Sequence, residues 1–390
     1  MLKVLYLVPN IADPAVARRV SMLRRGGAEI MLAGFRRAGA VPPALDVTDT
    51  IELGETFDAD FAQRVRAVFG AQRRIRGRFR SAGEPDVILA RNLEMLALGD
   101  SLVGLWGRRP AIGYECLDIH RLMLRDDLVG RTMRAAERHF ARRASFLITS
   151  SPAFVRHYFE AYEQLSLPTL LVENKVLIEA AERAVNPSLS GSAGPLRIGW
   201  FGALRCKKSL SALAGLSGRM DGAVEVVLRG KPALTEFDDF HGFVGAQRHM
   251  RFAGAYRNPD DLPAIYGEVH FAWAIDFFEE GQNSSWLLPN RIYEGCLNGA
   301  IPIALEGTET AAFLRRHGIG VIVPDVSTAT LVEAIGRMPP ERVAGLARAV
   351  AARDPADFAF GTADSVRLVG RIAAFAGRAT AGTELVEEAA

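Results

Sequence analysis

The feature that most constrains the fold is an alternation of strand and helix patterns along the chain. An apolar run, Leu2 to Val8, is followed by Asp13 and Pro14 at the start of a helical repeat, and then by a second apolar run, Ile30 to Phe35. Asp13 suits an N-cap, and Pro14 suits the first helical position because its missing N–H would have no partner there. This strand–helix–strand order predicts a parallel sheet with helices on both faces.

The alternation starts again after residues 186–195, whose Pro, Ser and Gly content is typical of a linker. A new strand is predicted at Leu196 to Phe201, and strand and helix patterns then continue through most of the remaining chain. A chain of 390 residues is too long for one core, since cores stop growing near about 250 residues. We therefore predict two α/β domains, 1–185 and 196–355, with ligands bound by loops at the carboxyl ends of the strands.

The composition is that of an ordinary globular protein. Apolar residues make up 49% and charged residues 24% of the chain, which argues against disorder over its length. The opening apolar run is short and continues into Pro9 and Asn10, so we interpret it as a strand and not as a signal peptide. Three separate cysteines, Cys116, Cys206 and Cys296, favour a reducing compartment and a cytoplasmic location.

A small polar loop that leads into a helix is the most informative segment. Gly281 to Ser285 precede Pro289, and Asn290 and Glu294 lie one helical turn apart. The N–H groups and positive dipole end of such a helix can bind phosphate, and a carboxylate one turn further on can bind both hydroxyls of a ribose. The alternative is that Glu294 is a solvated helix residue.

A second segment places cations after a strand. Arg205, Lys207 and Lys208 follow a glycine turn at Gly202, and Arg229 follows a later strand. Positive charge in such loops can stabilise a departing diphosphate. The alternative is a solvated, basic start of a helix.

These segments resemble the donor site of GT-B glycosyltransferases of the retaining family 4 type, and they look most like bacterial exopolysaccharide enzymes of the succinoglycan type. That family often has Pro-Asn-Lys-aromatic-Glu and then a Gly-x-Pro turn; here residues 289–294 are Pro-Asn-Arg-Ile-Tyr-Glu and residues 299–303 are Gly-Ala-Ile-Pro-Ile. The resemblance implies an α/β GT-B fold, with two Rossmann-like parallel-sheet domains that face each other across a cleft. It assigns acceptor binding to 1–185, nucleotide-sugar binding to 196–355, and to 356–390 a helix that crosses back to the N-terminal domain and a disordered tail.

Residue roles in the C-terminal domain follow from the resemblance. Glu294 corresponds to the ribose-binding glutamate that ends the family's Glu-x7-Glu motif, whereas Trp286 stands where the family has the first glutamate. Arg205 and Lys208 correspond to the cations that stabilise the diphosphate, and we assign them catalytic roles. The other implied donor-binding residues are Asn290, Arg291, Asn283, Ser284, Ser285, Lys207 and Arg229.

Roles in the N-terminal domain are assigned in the same way. His120 corresponds to a histidine that approaches the transferred sugar near its O6, and Asp118 orients that histidine or the acceptor; both are assigned catalytic roles. The alternative is that His120 is structural. Loops expected to face the cleft supply the predicted acceptor-binding residues, which are Asn10, Asp13, Arg91 and Asn92.

Motifs of other enzyme classes are missing from the sequence. It has no Gly-x-Gly-x-x-Gly after the first strand and no Gly-x4-Gly-Lys-Ser/Thr, which argues against a dinucleotide oxidoreductase and a P-loop enzyme. The Asp-x-Asp at Asp58 and Asp60 does not follow a predicted strand, so we predict transfer without a metal ion. The predicted donor is a UDP- or GDP-linked sugar, and no other cofactor is expected.

Seven arginines and no acidic residue lie between Arg64 and Arg80. Three interpretations are open: a solvated face of an amphipathic helix, a surface for anionic lipid headgroups, and a nucleic-acid site. We keep the lipid surface as a hypothesis, with peripheral association at the inner face of the cytoplasmic membrane, and we expect no nucleic-acid partner.

The predicted function is the transfer of a hexose, with retention, from a nucleotide sugar to a lipid-linked oligosaccharide in exopolysaccharide biosynthesis. Two alternatives stay open. A sugar-nucleotide epimerase has the same fold and donor site, but it needs acid and base carboxylates and no acceptor. A non-catalytic scaffold of a polysaccharide assembly complex is the second alternative, and the missing first glutamate favours it.

Overall fold

The chain folds into two units, each built on a parallel sheet. The structure is a computed structural model that describes residues 1–37, 44–56, 77, 79–80, 83–178, 194–278 and 280–378. Unit 1 comprises Met1–Val172 together with the residues from Gly361 onward, and unit 2 comprises Glu173–Phe360. The predicted α/β class with parallel sheets is confirmed.

Unit 1 contains, within the described ranges, a sheet of seven parallel strands in the order β3-β2-β1-β4-β5-β6-β7. The strands are β1 Leu2–Val8, β2 Ala28–Arg37, β3 Asp49–Thr56, β4 Val87–Arg91, β5 Ala111–Cys116, β6 Ala144–Thr149 and β7 Thr169–Leu171. The helices are α1 Pro14–Arg25, α2 Asn92–Leu102, α3 Leu128–Ala141, α4 Pro152–Phe154, which continues as a π-helix over Val155–Glu160, and the C-terminal helix Thr362–Phe375.

The first helix of unit 1 begins and ends where the sequence predicts. Asp13 caps α1, because its Oδ1 accepts a hydrogen bond of 2.9 Å from the amide of Ala15. The C-cap is Gly26. A Cβ at that position would collide with the backbone carbonyl of Ser365 in the C-terminal helix, so the close packing of these two helices requires glycine.

Unit 2 contains, among the residues described, a sheet of six parallel strands in the order β11-β10-β9-β12-β13-β14. The strands of the unit are β8 Val176–Leu177, β9 Leu196–Leu204, β10 Val224–Pro232, β11 Met250–Phe252, β12 Phe271–Trp273, β13 Ile301–Leu305, β14 Val321–Val323 and β15 Ala359–Phe360. The helices are α5 Lys207–Met220, α6 Phe240–Gly245, α7 Leu262–Gly267, α8 Asn290–Leu297, α9 Glu309–His317, α10 Thr328–Leu331, which continues as a π-helix over Val332–Gly336, and α11 Pro340–Ala351.

Both faces of the unit 2 sheet are covered by apolar side chains. Along β9, Ile198 and Trp200 pack into one hydrophobic cluster, whereas Phe201 packs into a second cluster. On β10, Val226 and Val227 are divided between the same two clusters. Burial on both faces explains why these strands are nearly continuous apolar runs, and it leaves the loops at the strand ends to carry polar groups.

The boundary between the units differs from the predicted linker. β8 and β15 pair in parallel, so the two ends of unit 2 are hydrogen-bonded to each other. The helix predicted within residues 356–390 begins only after this pairing: Pro355–Asp357 is a 3-10 turn, β15 follows, and the helix runs over Thr362–Phe375. Residues 186–193 of the predicted linker, and the tail beyond Arg378, lie outside the described residues.

A buried ion cluster connects four elements of unit 1. Glu115 on β5 is fully buried and accepts hydrogen bonds from Arg19 Nε at 2.6 Å, Arg91 Nε at 2.7 Å and Tyr6 Oη at 2.5 Å. Burial by itself opposes ionisation of this carboxyl group, but the charges of Arg91 and Arg19 outweigh it and lower the pKa of Glu115 to about 2. The cluster fixes β1, α1, β4 and β5 to one another.

We predict that Glu115→Gln lowers the free energy of unfolding by about 3–5 kcal/mol, because two buried guanidinium groups lose their buried counter-charge. In the wild type this contribution is present above the ordinary carboxyl pKa of 4.5 and is lost as the pH falls toward about 2. Urea unfolding at pH 7 measures the effect. The matched control is Glu341→Gln at an exposed carboxylate of α11, and equal midpoints for the two variants would contradict the prediction.

Candidate functional site

The candidate site of unit 2 lies where the strand order reverses. β9 and β12 are neighbours in the sheet. From β9 the chain continues to β10 on one side, and from β12 it continues to β13 on the other side. Crevices at the carboxyl ends of such strands are the usual ligand sites of open parallel sheets. The loop after β9 carries Arg205, and the loop after β12 runs from Ala274 to Pro289. The two segments singled out in the sequence therefore meet at one edge of the sheet.

A glycine pair shapes this edge. Gly202 on β9 and Gly230 on β10 are in register, with φ of 104° and 123°. A Cβ on Gly230 would collide with the carbonyl of Gly202, whereas the nearest side-chain atom to a Cβ on Gly202 is the hydroxyl of Tyr256, at 3.8 Å. The backbone at Gly202 is therefore approachable, which suits a site that binds a phosphate group through main-chain amides.

Arg205 and Lys208 both contact the segment 276–280. Arg205 Nη2 lies 3.6 Å from Asp276 Oδ2, and its guanidinium lies over the ring of Phe278 at 4.3 Å. Lys208 Nζ lies 2.5 Å from Glu280 Oε1 and 4.2 Å from the centre of the Phe277 ring. Their side chains are 37% and 49% exposed. The structure thus brings together the two cations predicted to stabilise a diphosphate, and both have carboxylate partners.

The other two predicted cations have different neighbours. Lys207 is exposed and lies 2.5 Å from Asp238. Arg229 donates to the carbonyl of Ala253 at 3.1 Å and to both carboxylate oxygens of Glu268. None of the described contacts joins these two cations to Arg205 or Lys208. Arg229 instead forms an ion pair with Glu268 within unit 2.

Glu294 is buried. Helix α8 begins after Pro289 as predicted, and the Glu294 carboxylate in its second turn is only 3% exposed. Asn258 Nδ2 donates to Oε1 at 2.6 Å, and Tyr266 Oη donates to Oε2 at 3.2 Å. Burial and then the nearby Glu294 charge raise the pKa of both Tyr256 and Tyr266. The interpretation of Glu294 as a solvated helix residue is therefore wrong.

The first turn of α8 also carries the predicted residues Asn290 and Arg291. Asn290 is exposed, whereas Arg291 is buried and donates to the carbonyl of Trp273 and to Asp276, each at 3.4 Å. Asp276 therefore has both Arg205 and Arg291 as neighbours. Sequence reasoning missed Asp276, although an acid directly after an apolar strand was a usable signal.

Three of the predicted donor-binding residues, Asn283, Ser284 and Ser285, lie in the loop before α8. Asn283 is buried, Ser284 starts a short 3-10 turn, and Ser285 is half-buried. Ser284 lines a small open pocket at the end of β13, together with Asp276 and Thr308. Hydroxyl and carboxylate groups around one opening are suited to binding sugar hydroxyls.

In unit 1 the predicted residues lie after β1, β4 and β5, which are adjacent in the sheet. Asn10 Oδ1 accepts from the amide of Ala12 at 3.1 Å, and Asp13 caps α1. Asn92 has a left-handed conformation, with φ of 70°. Arg91 is buried, and its guanidinium is bound to Glu115 and to the carbonyl of Ala15. The predicted acceptor contact of Arg91 is therefore replaced by a structural role in the ion cluster.

The predicted catalytic pair of unit 1 lies in the loop after β5. Asp118 and His120 are both exposed. His120 Nδ1 accepts from the amide of Leu122 at 3.3 Å and caps the short 3-10 helix Arg121–Leu124. In a neutral imidazole the proton then resides on Nε2, which makes that nitrogen the hydrogen-bond donor.

A second buried carboxylate lies behind the same strand. Glu137 on α3 is fully buried and accepts from Tyr114 at 2.8 Å and from Tyr158 at 2.7 Å. Burial raises the pKa of Glu137 to about 7, against the lowering effect of the two hydroxyl groups. Tyr114 and Cys116 lie on the face of β5 opposite Glu115, because side chains alternate along a strand.

Solved structures are similar to this fold over nearly the whole chain. A sucrose-phosphate synthase from Thermosynechococcus elongatus has a TM-score of 0.69 at 13% identity, covering 94% of this chain and 97% of that chain. HepE from Anabaena has a TM-score of 0.66 at 15% identity, covering 96% and 100%. These likenesses show the GT-B fold. They define the class of the protein as one with the GT-B fold.

A curated sequence relative narrows the class to a family. The chain is 51% identical to the succinoglycan biosynthesis protein ExoL of Rhizobium meliloti (strain 1021) over 377 residues, which cover 96% of this chain and 94% of that protein. The chain therefore belongs to the family of this succinoglycan biosynthesis protein, and the resemblance inferred from the sequence is confirmed. No family model matches the sequence.

The part of the chain that the structure describes contains neither a candidate membrane span nor a candidate metal site. None of the helices in the described ranges is both long and apolar enough to span a bilayer. Within the same ranges, no group of three or more His, Cys, Asp and Glu side chains is arranged to hold a metal ion. Asp58 and Asp60, and all the arginines of the 64–80 run except Arg80, lie outside the described residues.

We predict that Glu137 makes stability depend on pH. Because its pKa is raised to about 7 from 4.5, its contribution to stability is complete below pH 4.5 and is lost as the pH rises through 7, by on the order of 3 kcal/mol. Glu137→Gln keeps the shape and removes the ionisation, so its unfolding free energy is expected to fall less between pH 5 and pH 8. Parallel slopes for wild type and variant in that range would refute the prediction.

Proposed function

We propose that this glycosyltransferase moves a hexose, with retention and without a metal ion, from a nucleotide sugar to a lipid-linked oligosaccharide in exopolysaccharide biosynthesis. The observation that carries the proposal is that helix α8 carries both the buried Glu294 and Arg291, whose partner Asp276 also lies 3.6 Å from Arg205. A carboxylate for a ribose and cations for a diphosphate are the two features that a nucleoside diphosphate requires.

The donor is proposed to be a UDP sugar. The solved HepE structures are described as complexes with UDP, with UDP and glucose, and with UDP-glucose. The fold shared with HepE supports a nucleotide of the same kind for this chain, and GDP is the second candidate. The name of the relative ExoL, a succinoglycan biosynthesis protein, supports an acceptor that is a growing exopolysaccharide unit.

The proposed chemistry needs charge stabilisation and no covalent nucleophile. The bond between the sugar C1 and the diphosphate oxygen breaks, the bond from C1 to the acceptor oxygen forms on the same face, and the departing diphosphate takes the proton of the acceptor hydroxyl. Arg205 and Lys208 would then exchange Asp276 and Glu280 for phosphate oxygens. Charge-assisted hydrogen bonds of this kind are among the largest contributions that an enzyme makes to such a step.

The remaining predicted residues receive roles that are consistent with their exposure. Asn283, Ser284 and Ser285 are proposed to bind the hexose, since Trp286 occupies the place of the family's first glutamate. The exposed His120 is proposed to bind a sugar hydroxyl by donating from Nε2, and Asp118 is proposed to orient it. The residues proposed for acceptor contact are Asn10, Asp13 and Asn92.

We also propose that unit 1 associates with an anionic membrane surface. The helix α3 exposes Leu128, at 72%, and Val129 at its start, followed by Arg131 and Arg138. The one acidic residue of this helix is Glu137, which is buried. The exposed acid at the start of the helix, Asp127, is its N-cap and is paired with Arg125. An exposed helix face that combines apolar residues with arginines has the composition of a surface for anionic lipid headgroups.

The donor proposal is tested by thermal shift and calorimetry with UDP, GDP and ADP. UDP at 100 times its Kd is expected to stabilise the wild type by about 2.7 kcal/mol, and Glu294→Ala is expected to lose this effect. The control, Glu333→Ala, removes an exposed carboxylate of unit 2 and should respond like the wild type. If none of the three nucleotides binds the wild type, the donor proposal fails and the scaffold alternative takes its place.

Product analysis separates transfer from epimerisation. The protein is incubated with UDP-glucose alone and, separately, with UDP-glucose and a lipid-linked oligosaccharide fraction. A glycosyltransferase of the proposed kind forms a longer lipid-linked product only in the second sample, with UDP released. Conversion of UDP-glucose to a second UDP-hexose without acceptor would support the epimerase instead.

The membrane proposal is tested by vesicle flotation. Wild type is expected to float with vesicles that contain phosphatidylglycerol and to stay behind with phosphatidylcholine alone. The double variant Arg131→Glu, Arg138→Glu should float at least tenfold less, since each basic residue near an anionic surface contributes about 1 kcal/mol to the binding free energy. Arg248→Glu at an exposed arginine of unit 2 is the control. Equal flotation with both vesicle types would reject the proposal.

A further inference from the structure

Two side chains hold the carboxylate of Glu294 from different sides. Tyr266 is 1% exposed and donates to Oε2 from the interior, whereas Asn258 is exposed and donates to Oε1 at 2.6 Å. The carboxylate oxygen Oε2 is therefore held by a residue of the core, and Oε1 is held by a residue at the surface. A carboxylate held through both oxygens has little freedom to rotate about its last bond.

Both donors are themselves fixed by their surroundings. The ring of Tyr266 packs edge-on against Phe201 at 4.9 Å, which determines where its hydroxyl points. Asn258 lies in a turn in which Asp261 accepts from the Arg257 amide at 2.8 Å and from the Arg257 guanidinium at 3.1 Å. The orientation of the carboxylate therefore depends on packing and hydrogen bonds outside helix α8.

Arg291, a cation on the same helix, has its own hydrogen-bond partners among the described residues. It lies close enough to influence the same tyrosines as Glu294, and its guanidinium donates to Asp276 and to the carbonyl of Trp273. An ion pair between Glu294 and Arg291 would turn the carboxylate toward the arginine, whereas the hydrogen bonds from Asn258 and Tyr266 direct it toward those two residues.

We propose that Asn258 is a positioning residue of the nucleoside site: with Tyr266 it orients Glu294 toward the two ribose hydroxyls, and so it sets the preference for ribonucleotides over deoxyribonucleotides. This inference rests on the proposed function, in which Glu294 binds the ribose. Tyr266 donates its hydrogen bond to Glu294 from the interior. Asn258 donates from the surface, so its hydrogen bond can be removed by substitution without opening a cavity.

The test compares the Kd values of UDP and 2′-deoxy-UDP by calorimetry. Wild type is expected to bind UDP at least tenfold more tightly, because a ribose hydroxyl that donates to a carboxylate makes a charge-assisted hydrogen bond. Asn258→Ala should reduce this ratio to about threefold or less, and Glu294→Ala to about one. The double variant Asn258→Ala, Glu294→Ala should have the same Kd ratio as Glu294→Ala alone, since both substitutions act through one carboxylate.

Two further variants separate positioning from general damage. Asp260→Ala changes an exposed neighbour in the same turn and should keep the wild-type ratio and the wild-type Tm. Asn258→Asp places a second carboxyl group beside Glu294, so its ratio should be low at pH 8 and should recover as the pH falls and the pair shares a proton. A purely structural role of Asn258 would give no such pH profile.

The outcomes distinguish this inference from the donor proposal. If Glu294→Ala loses the ribose preference and Asn258→Ala keeps it, the positioning role is wrong and the donor proposal stands. If Glu294→Ala also keeps the preference, the ribose contact itself is wrong and the positioning role falls with it. Equal affinity of the wild type for UDP and 2′-deoxy-UDP would overturn both the contact and the role.

Discussion

A buried carboxylate that binds two arginines is the interaction on which unit 1 depends, and unit 2 has a more exposed counterpart. In unit 1 Glu115 binds Arg19 and Arg91, and in unit 2 Asp276 lies between Arg205 and Arg291. Glu115 lies near the carboxyl end of β5, and Asp276 lies in the loop after β12. Buried charges cost several kcal/mol unless they are paired, so the cluster around Glu115 restricts the neighbouring elements to conformations that keep the pairs intact.

Charge pairing also separates residues that support the fold from residues that can act on a ligand. Arg91 and Arg19 are buried and have carboxylate partners, so they have structural roles. Arg205 and Lys208 are also paired, but they are partly exposed, and an exposed ion pair contributes little to stability. Exchanging such a carboxylate for a phosphate group therefore costs little, which is what a substrate-binding cation requires.

Local patterns predicted much of the fold and failed where periodicity was absent. Asp13 and Pro14 placed the start of α1, and Pro289 placed the start of α8. Helix α2 was missed because buried residues occur on most of its sides, from Met95 to Leu98, which leaves no amphipathic repeat to recognise. The pairing of β8 with β15 was missed because each strand has only two residues, too few for a strand pattern.

The sequence by itself determined the α/β class, the two units and the helix that carries Glu294, because these depend on spacing between near neighbours. Only the tertiary structure decided which groups those residues contact. It placed Arg91 in an ion cluster, gave Arg205 a partner in Asp276, and put Asn258 and Tyr266 on Glu294. Such contacts join residues far apart in the chain, and they are set by the register and order of the strands, which local spacing does not specify.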